Sequence, residues 1–190
     1  MTAAGFLARF HEKAEHNQYW YSPKTIEAIT QEVLDGDATR CAFLSTPSVF
    51  YSLPPDSKAR QNSAVFDLDP VFGEDKEVEY VQYDFNKPEA IPASLHGTFD
   101  MVVIDPPFIT RDVWEKYAAA TKLLLKENGR ILLTTIGENA KMLAELMPGV
   151  KPRVFKPAIP NLIYQYSLYT NYDSERLAEP NPEIPEDDEI

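Results

Sequence analysis

Apolar side chains are arranged in two patterns along this sequence, short continuous runs and longer stretches with helical spacing. A continuous run such as residues 101–104 predicts a strand buried on both faces, which is typical of the middle of a parallel sheet. Seven strands are predicted, over residues 40–45, 63–69, 78–83, 99–104, 130–136, 153–156 and 162–171.

Helical segments alternate with the first five of these strands. Ser22 followed by Pro23 is a strong helix start, with serine as the N-cap and proline in the first turn. We expect this helix to end at Gly36, and we expect residues 56–62 to form a surface loop or a short broken helix. Three more helices are predicted, over residues 6–16, 110–129 and 138–147. This order predicts an α/β fold, with a Rossmann-like seven-stranded sheet whose last strand is antiparallel.

The composition fits one globular domain. With 190 residues and 44% hydrophobic residues, the chain can bury one sizeable core. We expect a single domain over residues 1–174, with a short helical segment at its start, and a disordered acidic tail over residues 175–190. The lone Cys41 excludes an intrachain disulfide, and no metal site is expected. The sequence has no apolar stretch long enough to predict a signal peptide or a membrane span, so we expect a cytoplasmic protein.

The net charge of −12 bears on the choice of partner. The last sixteen residues carry half of this charge, so the predicted domain is acidic as well. An acidic surface disfavours tight binding to a nucleic-acid duplex, which needs lysine and arginine to displace counterions from the phosphates. A small molecule or a protein partner is therefore favoured over nucleic acid.

The strongest chemical signal is the tetrapeptide Asp105, Pro106, Pro107 and Phe108, which directly follows the most buried predicted strand. Two prolines end the strand and hold the chain extended, so that the Asp105 carboxylate and the Pro106 carbonyl lie side by side as acceptors. Such a pair suits an amine, which brings two or three N–H groups, and Phe108 offers a flat apolar wall. We therefore predict a catalytic role for all four residues.

Further candidates follow the other strands or precede a helix. A carboxylate after the second strand of a Rossmann-like fold accepts hydrogen bonds from ribose hydroxyls, which makes Asp67 the first candidate and Asp69 the second. Asp84 is expected to accept from an adenine amino group, with Phe85 packed beside it. The other predicted cofactor contacts are an aromatic segment at a helix N-terminus and a serine-containing turn, namely Trp20, Tyr21, Ser22, Ser45 and Ser48.

These motifs resemble a known family. Segments 18–22, 45–49, 83–88, 105–108, 161–162 and 171–174 together resemble the eukaryotic lysine methyltransferases of translation elongation factor 1-alpha, once described as N6-adenine-specific DNA methyltransferases. The tetrapeptide is similar to the (D/N)PP(F/Y) motif of class I amino-group methyltransferases. The resemblance implies S-adenosylmethionine as cofactor, a protein-lysine substrate and the elongation factor as partner. Family members also carry a turn like 45–49, which lacks the usual glycines.

The expected reaction is attack of a neutral lysine amine on the methyl group of the cofactor. We expect Asn161, Tyr164 and Tyr166 to contact the substrate, and we expect a monomer. One alternative is N6-methylation of adenine in RNA or DNA, since the same acceptors suit an exocyclic amine and Phe108 could stack on a flipped base. A second alternative is a methyltransferase fold that binds a partner without catalysis.

Overall fold

The structure, a computed structural model, describes residues 1–185. One seven-stranded sheet runs through the domain, and its strands have the spatial order β3-β2-β1-β4-β5-β7-β6. The first five strands are parallel, and β7 is antiparallel to both β5 and β6. The strands are β1 Cys41–Leu44, β2 Ala64–Asp67, β3 Glu79–Gln82, β4 Phe99–Ile104, β5 Leu125–Ile136, β6 Lys151–Pro152 and β7 Tyr166–Thr170.

Six α-helices flank this sheet. They are α1 Ala3–Arg9, α2 Pro23–Asp35, α3 Pro47–Ser52, α4 Lys58–Asn62, α5 Arg111–Leu124 and α6 Ala140–Leu146. The predicted start of α2 is confirmed, because the Ser22 hydroxyl accepts a hydrogen bond from the backbone N–H of Thr25. Within residues 1–185, no helix is both long enough and apolar enough to cross a bilayer.

Alternation along the strands divides the core into two clusters, one on each face of the sheet. Phe43 and Val103 belong to the cluster under α1, α2 and α3, whereas Val102 and Ile104 belong to the cluster under α5 and α6. Both clusters meet β4, which lies in the middle of the sheet between β1 and β5. The carboxyl ends of β1, β2 and β4 therefore lie together at one edge, where ligands bind in open α/β sheets.

The predicted α/β fold and strand number are confirmed, but several boundaries differ. The first helix ends at Arg9 instead of continuing to residue 16, and only a short 3-10 turn, Ala14–His16, follows it. The turn after β1 is the start of α3, which the sequence did not predict. Leu125 pairs with Phe99 in the sheet, so α5 ends at residue 124 and β5 begins before Gly129.

The structure also corrects the predicted boundary at residue 174. Leu177 is fully buried in the core, and its carbonyl accepts a hydrogen bond from the Phe155 backbone N–H. Asn181 is buried as well, and its side chain donates to the Lys156 carbonyl. Residues 175–185 are therefore held against the domain through Leu177 and Asn181, while residues 186–190 of the predicted tail lie outside the described residues.

Candidate active site

A cleft of about 760 Å³, part of it open to solvent, lies at the carboxyl edge of the sheet. Its walls come from the segment before α2, from the ends of β1, β2 and β4, from α5, and from the chain leading into β7. The lining residues are His16, Asn17, Gln18, Tyr19, Trp20, Ser45, Asp67, Leu68, Tyr83, Phe85, Asp105, Pro106, Pro107, Tyr117, Ile159, Leu162 and Tyr166. This aromatic lining is typical of small-molecule sites.

Asp105 lies at the floor of the cleft, directly after β4. Its Oδ1 atom accepts a hydrogen bond of 3.0 Å from the hydroxyl of Thr134 on β5. The hydroxyl of Tyr21 lies 2.6 Å from the same Thr134 oxygen. Burial raises the pKa of the Asp105 carboxyl to about 7, although the hydrogen bonds from Thr134 and Tyr21 act in the opposite direction. Asp105 is therefore a carboxyl group that changes its charge near neutral pH.

The two prolines of the tetrapeptide have different surroundings. The Pro107 carbonyl accepts a hydrogen bond from the side-chain amide of Asn17. Among residues 1–185, no donor reaches the Pro106 carbonyl, although Pro106 lines the cleft. Asn17 thus fixes the second proline against the segment before α2, and the first proline keeps an unused acceptor beside Asp105.

Phe108 lies at the rim instead of forming the wall beside Asp105. Its side chain is 48% exposed and is not among the residues that line the cleft. Its ring makes an edge contact with Phe85, with 6.4 Å between the centroids. The wall that we expected from Phe108 is instead made by Phe85, Tyr117 and Tyr166.

Of the two acidic ribose candidates, only Asp67 reaches the cleft. Asp67 is the last residue of β2, and its Oδ1 atom accepts from the backbone N–H of Asp69. Burial and the neighbouring Asp69 charge raise the pKa of Asp67 to about 7. The carboxylate of Asp69 is itself buried and forms a 2.6 Å ion pair with Lys13. Asp69 therefore anchors the segment before α2 and does not line the cleft.

Ser45 occupies the position after β1 where a glycine is usual. It lines the cleft with a φ of 57°, which lies in the left-handed region that favours glycine. Its hydroxyl lies 2.7 Å from the Tyr117 hydroxyl, which offsets part of this strain. Ser48, in contrast, is buried inside α3 and does not reach the cleft.

The segment after β3 contributes aromatic rings but not its acid. The Asp84 carboxylate accepts from the backbone N–H of Asn86 at 2.9 Å, so it stabilises a turn outside the cleft. Phe85 lines the cleft as predicted. Tyr83 lines it too, and its buried hydroxyl has no hydrogen-bond partner among residues 1–185.

The aromatic segment before α2 is divided between the cleft and the core. Trp20 lines the cleft, and its indole N–H donates to the Phe10 carbonyl at 3.0 Å. Tyr21 lies behind Asp105, where it is only 2% exposed. Ser22 caps α2 and donates to the carboxylate of Glu183, so neither Tyr21 nor Ser22 lines the cleft.

The predicted substrate residues lie at three different depths. Tyr166, at the start of β7, lines the cleft, and burial and the nearby Asp105 charge raise its pKa. Tyr164 is 58% exposed and lies outside the cleft. The Asn161 side chain donates to the carboxylate of Glu12 at 2.9 Å, which ties the loop before β7 to the segment before α2.

Several lining residues were not predicted as site residues, including His16, Asn17, Tyr83 and Tyr117. Asn17 and Ser45 share a positive φ, a conformation that the sequence alone does not reveal. Tyr117 lies on the apolar face of α5 and resembles a core residue in sequence. Tyr83 immediately precedes two predicted site residues, so its position within segment 83–88 was an available signal.

The polar atoms of the cleft fit S-adenosylmethionine, the cofactor that the fold implies. Asp67 can accept from the ribose hydroxyls, since it is the last residue of β2 and its carboxyl group lines the cleft. The buried Tyr83 hydroxyl lines the cleft and lacks a hydrogen-bond partner within the described residues, whereas His16 Nδ1 lies 3.7 Å from the Asp69 carboxylate. Buried polar groups are rarely left unpaired, so the Tyr83 hydroxyl indicates a ligand with polar groups of its own.

Comparison with known proteins shows the family of this chain. A family described as "Probable N6-adenine methyltransferase" matches residues 12–174. The chain is 33% identical over 167 residues to EEF1A lysine methyltransferase 1 of Homo sapiens, covering 86% of this chain and 76% of that protein. It is also 33% identical to the protein of the same name from Gallus gallus, covering 91% and 83%.

Solved structures share the fold at lower identity. The O-methyltransferase TomG of Streptomyces achromogenes, in complex with SAM, has a TM-score of 0.57 at 16% identity, covering 88% of this chain and 86% of that one. The sheet order, the sequence match over residues 12–174 and the relatives thus agree. The chain is similar to relatives named EEF1A lysine methyltransferase 1, and it belongs to the family described as "Probable N6-adenine methyltransferase".

Proposed function

We propose that this protein uses S-adenosylmethionine to methylate the side-chain amine of a lysine in a protein, with translation elongation factor 1-alpha as the substrate. The observation that carries the proposal is the pair of acceptors at the end of β4. Asp105 and the unused Pro106 carbonyl adjoin each other in an aromatic cleft that Asp67 also enters.

The cofactor and the amine would occupy different parts of this cleft. When bound, S-adenosylmethionine supplies a methyl group attached to a positively charged sulfur. Asp67 would hold the ribose, and the Tyr83 hydroxyl would hydrogen-bond another polar group of the cofactor. Asp105 would then hold the acceptor amine in line with the methyl group, and this ordering of the two reactants contributes much of the rate.

The cleft also favours the reactive form of the amine. A lysine ammonium has a pKa of about 10.4 in water and no free lone pair, so it must lose a proton before it can react. Phe85, Tyr117 and Tyr166 line the cleft with rings, and burial disfavours the charged ammonium, which opposes the stabilisation of that charge by an ionised Asp105. Asp105 and the Pro106 carbonyl would each accept one N–H of the neutral amine, which leaves its lone pair free.

Relatives support lysine over adenine as the acceptor. Two proteins named EEF1A lysine methyltransferase 1 cover most of the chain. The acidic charge of this chain agrees with a protein partner. The rim position of Phe108 also weakens the adenine alternative, because stacking on a flipped base would require this ring inside the cleft. We further propose that the enzyme acts in the cytoplasm as a monomer.

Methyl transfer to cell extract tests the proposal. Extract from cells that lack this protein is incubated with the pure enzyme and S-adenosylmethionine labelled in the methyl group, and protein is separated from nucleic acid. We expect label in one protein band, identified by mass spectrometry as methyl-lysine in the elongation factor. Label confined to RNA or DNA would replace the proposal with the adenine alternative. Absence of label in every fraction, with cofactor binding retained, would favour a non-catalytic binding protein.

A further inference from the structure

Two buried hydroxyl groups, those of Tyr21 and Thr134, are linked by hydrogen bonds to Asp105. Thr134 is fully buried on β5, and Tyr21 is 2% exposed in the segment before α2. Thr134 donates its only hydroxyl proton to Asp105 Oδ1, so the Tyr21 hydroxyl, 2.6 Å from the Thr134 oxygen, donates its own proton to Thr134 or directly to Asp105. Both hydroxyl protons therefore point toward the carboxyl group.

This direction favours one charge state of Asp105. If Oδ1 carried a proton, two protons would lie between Oδ1 and the Thr134 oxygen, and both hydroxyl groups would have to reverse. A proton on Oδ2 would leave the hydroxyl groups in place, but it would weaken the hydrogen bond that Thr134 donates, because that bond is stronger to a charged carboxylate. Within residues 1–185, the Tyr21 hydroxyl has no acceptor other than Thr134 and Asp105. Reversal of both hydroxyl groups would therefore weaken the hydrogen bonding of the buried Tyr21 phenol, which is unfavourable.

We propose that Thr134, oriented by Tyr21, is a positioning residue that keeps Asp105 ionised and engages Oδ1, so that Oδ2 is left to accept from the substrate amine. The inference rests on the proposed function for its last step only. The arrangement of the three side chains, and its effect on the charge of Asp105, hold for any amine in the cleft.

The remaining titratable groups around Asp105 do not replace this role. Phenols face it from three elements: Tyr21 before α2, Tyr117 on α5 and Tyr166 on β7. Burial raises the pKa of each of them, so all three are neutral near pH 7. Within the described residues, only Thr134 and Tyr21 oppose the effect of burial on the Asp105 carboxyl.

The test is a titration of Asp105 itself. Protein labelled with carbon-13 at the aspartate carboxyls is titrated by NMR, and the Asp105 signal is assigned with Asp105→Asn. We expect Thr134→Val to raise the midpoint by about one to two pH units, the effect of losing a hydrogen bond to a charged group. Thr134→Ser restores the hydroxyl and should restore the midpoint. Thr135→Val is the matched control, because the Thr135 hydroxyl is equally buried but bonds Asn139.

Kinetics supply the second readout. In Thr134→Val the acid limb of kcat/KM should move by the same interval, so activity falls roughly tenfold at pH 7 and recovers to within about twofold at pH 9. An unchanged midpoint in both Thr134→Val and Tyr21→Phe would overturn the inference, and Tyr21→Phe serves alone if Thr134→Val does not fold. A shifted midpoint in an enzyme that does not methylate lysine would overturn the proposed function and leave the inference standing.

Discussion

Replacing Asp105 by asparagine should separate the stability of the cleft from its chemistry. Asparagine keeps an oxygen acceptor for the Thr134 hydroxyl and has almost the same shape, but it carries no charge. Methyl transfer should be reduced but not abolished, because an amide N–H would replace one acceptor for the amine, while the (D/N)PP(F/Y) motif admits asparagine at this position. Stability should change in the opposite sense, since a charge in an apolar cleft is removed.

The size of the stability change follows from the pKa. Burial raises the pKa of Asp105 from its ordinary value of 3.8 to about 7. Between these values the folded state binds a proton that the unfolded state has released, so stability is lost as the pH rises through this window. Linkage over about three pKa units gives a loss of about 2 to 3 kcal/mol in the wild type between pH 5 and pH 8, and none from this site in the variant.

Urea unfolding of both proteins at pH 5 and pH 8 measures this effect. We expect the advantage of the variant over the wild type to grow by roughly 1 M between pH 5 and pH 8, for a slope of about 2 kcal/mol per molar urea. Because the other groups are shared, their titration cancels in the comparison. Parallel pH dependence of the two proteins would refute the reasoning and would mean that Asp105 is well solvated.

Asp100, at the other end of the same strand, supplies a control of opposite sign. Burial acts to raise its pKa, but hydrogen bonds from Lys126, Thr39 and Arg40 outweigh it and hold the pKa at about 2. The ionised form is thus the stabilising one. Asp100→Asn should therefore destabilise the protein at pH 7, and the difference from wild type should shrink as the pH falls toward 2.

Three further predictions concern the cofactor, the rim and the C-terminal segment. Asp67→Asn should weaken cofactor binding about 10- to 100-fold by calorimetry, as expected for a hydrogen bond to a charged group, while Asp84→Asn should change it less than about twofold, since Asp84 bonds within its own turn. Ile163 is 89% exposed beside the cleft residue Leu162, so Ile163→Asp should raise KM for the protein substrate about 5- to 30-fold. Val154→Asp, at a residue 56% exposed away from the cleft, should leave KM unchanged. Leu177→Ala should lower the free energy of unfolding by about 2 to 4 kcal/mol without altering cofactor affinity, and an unaffected stability would show that residues 175–185 do not pack on the core.

The sequence predicted the middle of the sheet well because strands β1, β2 and β4 are buried on both faces. Residues 101–104 have no polar alternation, and the structure places them fully inside the core. The last strand pair was harder to predict, because β6 has only two residues and both are exposed. Helix α3 was missed because Pro47, which starts it, equally suits a turn.

The candidate site was predictable only where one local pattern defines it. Asp67 and Asp84 both lie near the end of a predicted strand, yet only Asp67 is the last residue of an observed strand and lines the cleft. Asp84 lies beyond the end of edge strand β3, where its own turn uses its carboxylate. Tyr21 and Thr134 are 113 residues apart, and sequence spacing cannot reveal a contact over that distance.

The two carboxyl groups in the cleft share one physical property. Burial raises the pKa of both Asp67 and Asp105 to about 7, and each carboxyl lines the space that the ligands would fill. Ribose hydroxyls at Asp67 and an amine at Asp105 would donate hydrogen bonds to the ionised forms and lower both pKa values. The ligands would therefore stabilise most strongly the charges that destabilise the empty cleft, so that occupancy and folding stability are coupled at neutral pH. This coupling explains how a domain can keep two carboxylates in an aromatic cleft. Each ionised carboxylate destabilises the fold when the cleft is empty and stabilises it when a ligand donates hydrogen bonds to that carboxylate.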